Sequence, residues 1–250
     1  MQVVEKHIDK YQPVTLKGLN PVKLIKRVDT KYVLNRSQLE EILEKLVAYY
    51  KILEIDGDRV FTYKTIYFDT QDYQFYLDHH NGYIHRMKVR EREYVDSGLK
   101  FYEIKRKLPL GETDKTRVKI DELKNHLTPE QYGLISNYKR LRNRDLEKKI
   151  TNTFKRITLT NIELQERITI DMDIQFEVDG CTKMLEDIVI IELKQPRFNV
   201  LSPMVKMLKK LYIHPSGFSK YAMGVVLMNL HGKQNQFKPQ LLKIKELQQN

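Results

Sequence analysis

The chain has 250 residues, 41% of them hydrophobic and 31% charged, which suits a folded globular protein rather than a disordered one. Lys and Arg outnumber Asp and Glu by 44 to 33, and the resulting charge of +11 favours polyanionic partners: nucleic acid, phosphorylated small molecules, polyphosphate or an anionic membrane surface. The single cysteine, Cys181, excludes an internal disulfide and a multi-cysteine zinc site, and no apolar window approaches the ~18 residues of a membrane span.

The first part of the chain is predicted to form two strands with a helix between them. Residues 1–21 are interpreted as an N-terminal extension, and strands are expected over residues 22–34 and 60–69. Between these strands, Ser37 is followed three residues later by Glu40, which is the spacing of a capping box at a helix start. The apolar stripe that follows is typical of an amphipathic helix: Leu39, Ile42, Leu43 and Leu46.

Alternating apolar and polar residues predict further strands in the rest of the chain. These strands are expected over residues 83–94, 99–107, 114–120, 154–164, 166–171, 173–178 and 187–194. Three more helices are expected over residues 129–148, from Ser202-Pro203 onwards and over residues 218–229. The polar segment 230–250 is interpreted as a tail that frays, and His79 and His80 as loop residues.

This order of elements predicts an α+β fold rather than a doubly wound parallel sheet, because many antiparallel-looking strands follow one another with helices inserted at intervals. The sequence contains neither of the two common glycine-rich loops that cradle phosphate through backbone N–H groups. If the protein binds phosphate, side chains must therefore bind it.

Charged residues of several predicted strands share one face, since every second side chain of an extended chain points to the same side. An ordinary solvent-exposed sheet face accounts for any single strand and is the alternative interpretation. Such a face usually mixes charge signs, because like charges directly opposite one another destabilise strand pairing. Here most of the shared positions are cationic: Arg86, Lys88, Arg90 and Arg92; Arg27, Asp29 and Lys31; Glu103, Lys105 and Lys107; Lys115, Arg117 and Lys119; Arg167 and Asp171; Glu192 and Lys194.

An antiparallel β-barrel of about eight strands would turn these faces inward and form a cationic tunnel, with the helices packed on the outside. A few carboxylates among many cations is the composition expected of a metal–polyphosphate site. Cations bind phosphate oxygens, and hard divalent metals take carboxylate oxygens. Nucleic acid is not expected as a partner, because cations inside a barrel are hidden from a duplex.

Seven segments of the sequence form a recognisable series: RVDTKY (27–32), TIYFDT (65–70), HRMKVREREY (85–94), FYEIKRK (101–107), ERITID (166–171), VIIELK (189–194) and GFSKYAMG (217–224). Together they resemble the VTC domain, the polyphosphate polymerase domain of the vacuolar transporter chaperone complex and of its stand-alone bacterial relatives. The resemblance spans residues 22–229. The VTC domain belongs to the triphosphate tunnel metalloenzymes, alongside CYTH-type adenylate cyclases and thiamine triphosphatases.

The resemblance implies that the tunnel transfers the γ-phosphate of ATP to inorganic polyphosphate with Mn²⁺ or Mg²⁺. The catalytic residues that it implies are Lys31, Arg90, Arg92, Lys105, Arg156, Arg167 and Lys220. Further phosphate-binding residues are expected to be Arg27, Arg86, Lys88, Lys107, Lys115, Arg117 and Lys194. The metal ligand is expected to be Glu192, with Glu103, Asp29 and Asp171 as further candidates.

The sequence departs from the family pattern in two ways. The E-x-E-x-K start of CYTH-type proteins is replaced by the segment 27–31, RVDTK, which favours the VTC branch over the cyclase branch. The phosphate-sensing and membrane domains of the fungal proteins have no counterpart in this sequence, so coupling of synthesis to translocation would need a membrane partner.

Two other functions stay open at this point. The same tunnel could hydrolyse tripolyphosphate or a nucleoside triphosphate with water as the acceptor, or it could bind polyphosphate without turnover. A cytoplasmic location is expected, because the N-terminal segment lacks the apolar core of a signal peptide and a single thiol suits a reducing compartment.

Overall fold

The computed structural model describes residues 2–22, 27–109, 113–139, 141 and 144–249. As predicted, the fold is α+β, with one large and mainly antiparallel sheet that has helices on its outer side. The strands are β1 (Pro13–Val14), β2 (Val28–Asn35), β3 (Lys51–Leu53), β4 (Phe61–Asp69), β5 (Met87–Tyr94), β6 (Leu99–Lys107), β7 (Thr113–Ile120), β8 (Glu147–Asn161), β9 (Glu166–Val178), β10 (Cys181–Leu185) and β11 (Ile188–Gln195).

Seven α-helices and three short 3₁₀ segments, Lys17–Val22, Val95–Ser97 and Asn235–Phe237, connect and cover the strands of the described part of the chain. The α-helices are α1 (Gln2–Ile8), α2 (Arg36–Leu46), α3 (Gln74–His80), α4 (Pro129–Ser136), α5 (Pro203–Lys210), α6 (Lys220–Leu227) and α7 (Lys238–Gln249). Among the described residues, no helix is both long enough and apolar enough to cross a membrane.

The main path of the sheet contains eight strands in the order β2-β11-β9-β8-β4-β5-β6-β7. The short strands β1, β3 and β10 lie off this path, with β1 parallel to β3. In the described residues no ladder joins β2 to β7. The eight-stranded antiparallel sheet is therefore confirmed, but it is not a closed barrel: it stays open between its first and last strands.

Two contacts demonstrate that the sheet is strongly curved. Lys31 Nζ on β2 donates to the carbonyl oxygen of Phe218 at 2.9 Å, and Lys88 Nζ on β5 donates to Ser219 Oγ at 2.9 Å. β2 and β5 are five strand positions apart on the path, which would separate them by about 24 Å in a flat sheet. Because both lysines reach adjacent residues, the sheet curls into a trough, and we call its inner side the concave face.

The convex face buries the apolar positions that alternate with the charged ones. Val189, Ile191 and Leu193 of β11 are buried in one cluster with Leu39 and Leu43 of α2. The period-2 alternation thus separates a hydrophobic layer under the outer helices from a polar layer on the concave face.

Helix α6 is an exception, because it packs on the concave face. Strand pairing places Arg92, Thr65, Asn152 and Phe176 on the same face. Gly224 of α6 lies against this surface so closely that a Cβ would come within 2.8 Å of Phe176 Cδ1. We call this the closed end of the concave face, and the opposite end, where β5 ends at Tyr94, the open end.

The start of α2 differs from the prediction by two residues. Its N-cap is Asn35, whose side chain accepts from the backbone N–H of Gln38, and Gln38 completes the capping box. Ser37 instead lies inside the first turn and donates to Asn35 Oδ1. The expected Ser37–Glu40 box is wrong because the preceding strand extends to Asn35, which already holds the extended conformation of an N-cap.

Helix α3 was not predicted, and it places His79 and His80 on a helix instead of in a loop. Its N-cap, Tyr73, has a positive φ and gives no side-chain cap. The carboxylate of Asp69 replaces that cap by accepting from the backbone N–H groups of Phe75 and Tyr76 at 2.8 and 3.0 Å. A cap supplied from so far upstream leaves no local signal in the sequence.

Several predicted boundaries are also corrected. The helix expected over residues 129–148 ends at Ser136, and residues 140, 142 and 143 lie outside the described ones. The strand expected over residues 154–164 begins earlier, at Glu147, because that segment pairs with the end of β4. The two strands expected over residues 166–178 are one strand, β9, whose residue Asp173 has a positive φ beside a shift of register.

Two further strands start later than expected. The predicted strand 22–34 begins at Val28; residues 23–26 lie outside the described ones. The predicted strand 83–94 begins at Met87, because the α3 segment and its turn occupy the residues before it, so Arg86 is not a strand residue.

The C-terminal segment is not a frayed tail. Residues 238–249 form α7, and both Ile244 and the preceding Phe237 are buried in the core cluster that contains α6. The polar composition of this segment reflects an amphipathic helix that covers the closed end.

Candidate active site

The concave face groups its charged residues around three carboxylates. The first is Glu103 on β6, which is 1% exposed and receives Arg90 Nη2 at 2.6 Å and Lys115 Nζ at 2.5 Å. Burial opposes ionisation of this carboxyl group, but the cations outweigh burial and hold the pKa of Glu103 well below its usual range. Glu103 is thus a fixed anion that orients cations from β5 and β7.

The second carboxylate, Asp171 on β9, is saturated by cations. Arg156 binds it with both Nε and Nη2, at 2.5 and 2.8 Å, in a bidentate pair, and Lys220 of α6 binds its other side. Burial favours the neutral form, yet Arg156 and Lys220 lower the pKa of Asp171 far below its ordinary value. This pair fixes the N-terminus of α6 to the concave face.

The third carboxylate, Glu192, lies on β11, which is the neighbour of the edge strand β2. Lys194 Nζ contacts Glu192 Oε2 and lies 3.7 Å from Asp29 Oδ2, so one ammonium group lies between two carboxylates. Lys31 Nζ is 3.7 Å from the other oxygen of Glu192. Despite burial, Lys31 and Lys194 hold the pKa of Glu192 well below its usual range.

Other cations of the concave face have no carboxylate partner. Among the described residues, no Asp or Glu oxygen lies within 4 Å of Lys88 Nζ, Lys105 Nζ or the Arg92 guanidinium. Burial, followed by neighbouring cations, lowers the pKa of Lys88 well below its ordinary value, and burial lowers the pKa of Lys105 to about 8. The Nε atom of Arg167 is buried without a hydrogen-bond partner in the described structure. The concave face therefore holds more positive charge than its own carboxylates neutralise.

This arrangement suits a polyanion. Crowded, buried cations repel one another and have lost hydration, and a negatively charged ligand offsets both costs. Phosphate oxygens accept charge-assisted hydrogen bonds from Arg and Lys. At the sequence level, a model of the VTC domain family matches residues 26–229. The protein belongs to the VTC domain family.

Solved structures resemble this VTC-domain protein only distantly, and comparison of the sequence with curated proteins gives no match. A candidate adenylate cyclase of Vibrio parahaemolyticus is 12% identical over 79% of this chain and 96% of its own, with a TM-score of 0.45. The PH1819 protein of Pyrococcus horikoshii OT3 is 14% identical over 82% of this chain and 100% of its own, with a TM-score of 0.43.

HpAC1 of Hippeastrum, a candidate adenylyl cyclase described as having a dominant triphosphatase activity, is 16% identical over 79% of this chain and 94% of its own, with a TM-score of 0.45.

The VTC domain brings most of the sequence-predicted residues onto one surface. Its middle holds Lys31, Lys88, Arg90, Arg92, Lys105, Arg156 and Lys220 with Glu103, Asp171 and Glu192. Towards the open end, Arg27 pairs with Asp29 at 2.8 Å beside Arg167 and Lys194. Lys115 and Arg117 reach in from the edge strand β7.

Two predicted phosphate-binding residues extend that surface towards the closed end. Arg86 precedes β5 and points back to the carbonyl oxygen of Tyr83, and Lys107 ends β6 at the same, closed end. The backbone N–H of Lys107 donates to the carbonyl oxygen of Arg86, so the two residues lie together. Burial, followed by the charges of Arg86 and Lys31, lowers the pKa of Lys107, so this pair adjoins the middle of the surface.

Some residues of the VTC domain that shape the site were not predicted. Ser219 accepts from Lys88 and caps α6, and Tyr221 Oη donates to Asp69 Oδ2 at 2.5 Å. Phe154 lies under Lys220, whose Nζ is 4.2 Å from the ring centroid. Ser219 and Tyr221 lie in the GFSKYAMG segment that carries the resemblance, so the same motif contained their signal.

The donor set fits a divalent metal only in part. Among the described residues there is no group of three or more His, Cys, Asp or Glu side chains placed to hold a metal ion. A Mg²⁺ or Mn²⁺ ion bound to a triphosphate needs only one or two carboxylates, since phosphate and water oxygens supply the rest. Glu192 and Asp29, which share Lys194, fit that requirement because an ion bound between them would replace one ammonium group. Asp171 is held by a bidentate arginine and by Lys220, and Glu103 is paired with Arg90 and Lys115.

Proposed function

We propose that this VTC-domain protein is a polyphosphate polymerase that transfers the γ-phosphate of ATP to the end of a polyphosphate chain on the concave face. The observation that carries this proposal is the surplus of buried positive charge around Lys88, Lys105 and Arg167, none of which has a carboxylate partner among the described residues. A chain of phosphates is the ligand that supplies enough negative charge along the whole surface.

The proposed roles follow from position. Arg90, Arg92 and Lys105 would bind the triphosphate along β5 and β6, and Arg156 and Lys220 would bind it from the other side. Phosphoryl transfer needs little covalent help from the protein, so positioning and neutralisation of charge supply most of the catalysis. The acceptor phosphate already carries nucleophilic oxygens at neutral pH, so no general base is assigned.

Glu192 and Asp29 are proposed to hold the divalent ion after Lys194 moves aside. Bound there, Mn²⁺ or Mg²⁺ would neutralise charge on the transferring phosphoryl group. Lys194 would then be free to donate to a phosphate oxygen, since its stem lies on the same face of β11.

Incubation of the purified protein with ATP and Mn²⁺ tests the proposal. We expect ADP to accumulate together with a polymer that polyphosphatase degrades, and we expect Glu192→Gln to lose the metal-dependent turnover. Wild-type protein that forms neither ADP nor polymer would show that polymerase activity is wrong for this chain.

A second candidate is hydrolysis of a triphosphate with water as the acceptor. The observation that favours it is that α6, held by Lys220 and Tyr221, packs against β8 and β9 at the closed end. A helix at this position leaves less room for a growing polymer than for water. Release of orthophosphate without any polymer would support hydrolysis instead, and tight binding without turnover would support a polyphosphate-binding module.

We also propose that ATP or another triphosphate and inorganic polyphosphate are the partners, and that duplex nucleic acid is not. The cations lie on the concave face, which a rigid duplex cannot enter as a single strand of phosphates can. A binding assay with duplex DNA against linear polyphosphate at equal salt distinguishes the two classes, and stronger capture of the duplex would contradict this assignment.

A further inference from the structure

Two residues of β9 have buried polar atoms without a hydrogen-bond partner on the concave face. Thr169 is 4% exposed, and no described residue forms a hydrogen bond with its Oγ1. Arg167 lies two residues earlier on the same side of the strand, and its Nε is buried and unpartnered as well. Buried polar atoms of folded proteins nearly always have a partner. Two such atoms side by side therefore indicate a position that a ligand completes.

Strand register places Thr169 beside the proposed metal ligand. Thr169 lies opposite Glu192 of β11 on one side and opposite Thr158 of β8 on the other. In the next row towards the open end, Arg167 lies opposite Lys194. Residues directly opposite one another in antiparallel strands have Cβ atoms about 4.5–5.5 Å apart. The hydroxyl of Thr169 thus lies between the carboxylate of Glu192 and the guanidinium of Arg167.

A phosphate group is the ligand that fits both unpartnered atoms. The Oγ–H of Thr169 and the Nε–H of Arg167 are hydrogen-bond donors, and one phosphate accepts several such bonds at once. Burial, followed by the charges of Arg27 and Arg156, lowers the pKa of Arg167. A water molecule would accept a hydrogen bond from Thr169, but it would not reduce the repulsion among these arginines. A phosphate does both.

We infer that Thr169 is a phosphate-binding residue, whose hydroxyl donates to an oxygen of the phosphate that Arg167 binds beside Glu192. This inference rests on the proposed function, because it requires a chain of phosphates on the concave face. It adds a neutral donor to the cations of that face. A hydroxyl adds no attraction at a distance, but it fixes the position of one phosphate oxygen relative to Glu192, and such positioning is a large part of catalysis in phosphoryl transfer.

The free protein should show the cost of this arrangement. A buried hydroxyl without a partner destabilises the fold, because water solvates the same hydroxyl in the unfolded chain. Thr169→Val keeps the shape of the side chain and removes the hydroxyl, so it should raise the melting temperature of the free protein. A hydroxyl that served only the fold would show the opposite change.

Calorimetric titration of the full-length protein with tripolyphosphate, without divalent metal, tests the inference together with thermal melts of the free protein. Thr169→Val should bind tripolyphosphate on the order of tenfold more weakly. Its affinity should depend on salt concentration as steeply as that of the wild type, because salt screens charges and the lost group is neutral. Thr169→Ala should show the same loss of affinity. Thr169→Ser keeps the hydroxyl and should bind as the wild type does.

Thr160→Val is the matched control. Thr160 of β8 is 1% exposed, and its Oγ1 already donates to the carbonyl oxygen of Glu166 at 3.0 Å. This hydroxyl is therefore paired within the protein. Thr160→Val should lower the melting temperature and leave the affinity for tripolyphosphate unchanged.

Three outcomes would overturn the inference. If Thr169→Val and Thr169→Ala bind tripolyphosphate as tightly as the wild type, Thr169 is not a phosphate-binding residue, while the proposed function stands. If Thr169→Val binds more weakly and also melts earlier, the hydroxyl serves the fold. Wild-type protein that binds no tripolyphosphate would refute the proposed function as well.

Discussion

Replacing Lys88 by Met should stabilise the free protein and weaken its binding of triphosphate. Lys88 is partly buried among Lys31, Lys105 and Arg90, and burial and these cations lower its pKa well below the ordinary value. Its only hydrogen bond in the described structure goes to Ser219 Oγ, at 2.9 Å. A bound triphosphate, as proposed above, would offset this cost.

The magnitude follows from opposing terms. Replacing buried ionic groups by apolar ones of similar size is neutral or stabilises proteins by about 1–4 kcal/mol, and loss of the bond to Ser219 costs about 1 kcal/mol. Ser219 Oγ keeps the N–H of Ala222 as a partner at 3.3 Å. The net increase in the free energy of unfolding is about 0–3 kcal/mol, which raises Tm by up to roughly 12 °C for a chain of this size.

Binding should change in the opposite direction. A unit charge about 4 Å from a phosphate oxygen contributes up to about 4 kcal/mol at an effective dielectric constant of 20, so tripolyphosphate should bind on the order of a hundredfold more weakly to Lys88→Met. Calorimetry gives both the melting temperature and the affinity. Lys155→Met, on the convex side of β8, is the matched control and should leave the affinity unchanged. A Lys88→Met protein that melts earlier and still binds tripolyphosphate normally would refute this reasoning.

Three further predictions concern the carboxylates and the buried lysines. Asp171→Asn leaves two buried cations without their anion and should lower the free energy of unfolding by about 3–5 kcal/mol. Thermal denaturation measures this, and an unchanged Tm would contradict it. The pKa values of Lys105 and Lys220 are lowered to about 8. After correction for protonation of the ligand itself, the contribution of these lysines to tripolyphosphate affinity should therefore be constant below pH 7 and fall as the pH rises through 8. The same two lysines should make the free protein more stable as the pH rises from 8 to 10, because the unfolded state binds more protons than the folded state in that range. Binding titrations and thermal melts from pH 6 to 10 that show neither trend would argue against buried ammonium groups. Lys194→Met removes the ammonium group that competes for Glu192 and should raise Mn²⁺ affinity in electron paramagnetic resonance titrations; an unchanged affinity would exclude this metal position.

The part of the fold that follows from period-2 alternation could be predicted from the sequence. Alternation places charged residues such as Glu192 and Lys194 on one face and Val189 and Ile191 on the other, and the structure shows the second face buried under helices. The pattern specifies two faces for each strand. It does not specify whether the first and last strands meet, and here they do not.

The parts that could not be predicted depend on contacts between distant segments. Asp69, at the end of β4, caps α3 and also accepts from Tyr221 of α6. The residues at the start of α3 therefore give no sign of its cap. The position of α6 on the concave face depends on the small volume of Gly224, and nothing in its apolar pattern distinguishes it from an outer helix. The contacts among Tyr63, Tyr94, Phe101 and Arg117 likewise join residues of β4, β5, β6 and β7 that only the strand register brings together.

The most direct measurement of the central claim is ³¹P nuclear magnetic resonance of the products formed from ATP and Mn²⁺, with and without a pyrophosphate primer. Transfer to a polyphosphate end predicts a growing signal from phosphates in the interior of a chain, matched by ADP and formed sooner when the primer is present. ATP that is unchanged, or hydrolysed to ADP and orthophosphate without polymer, would contradict polymerase activity on the concave face.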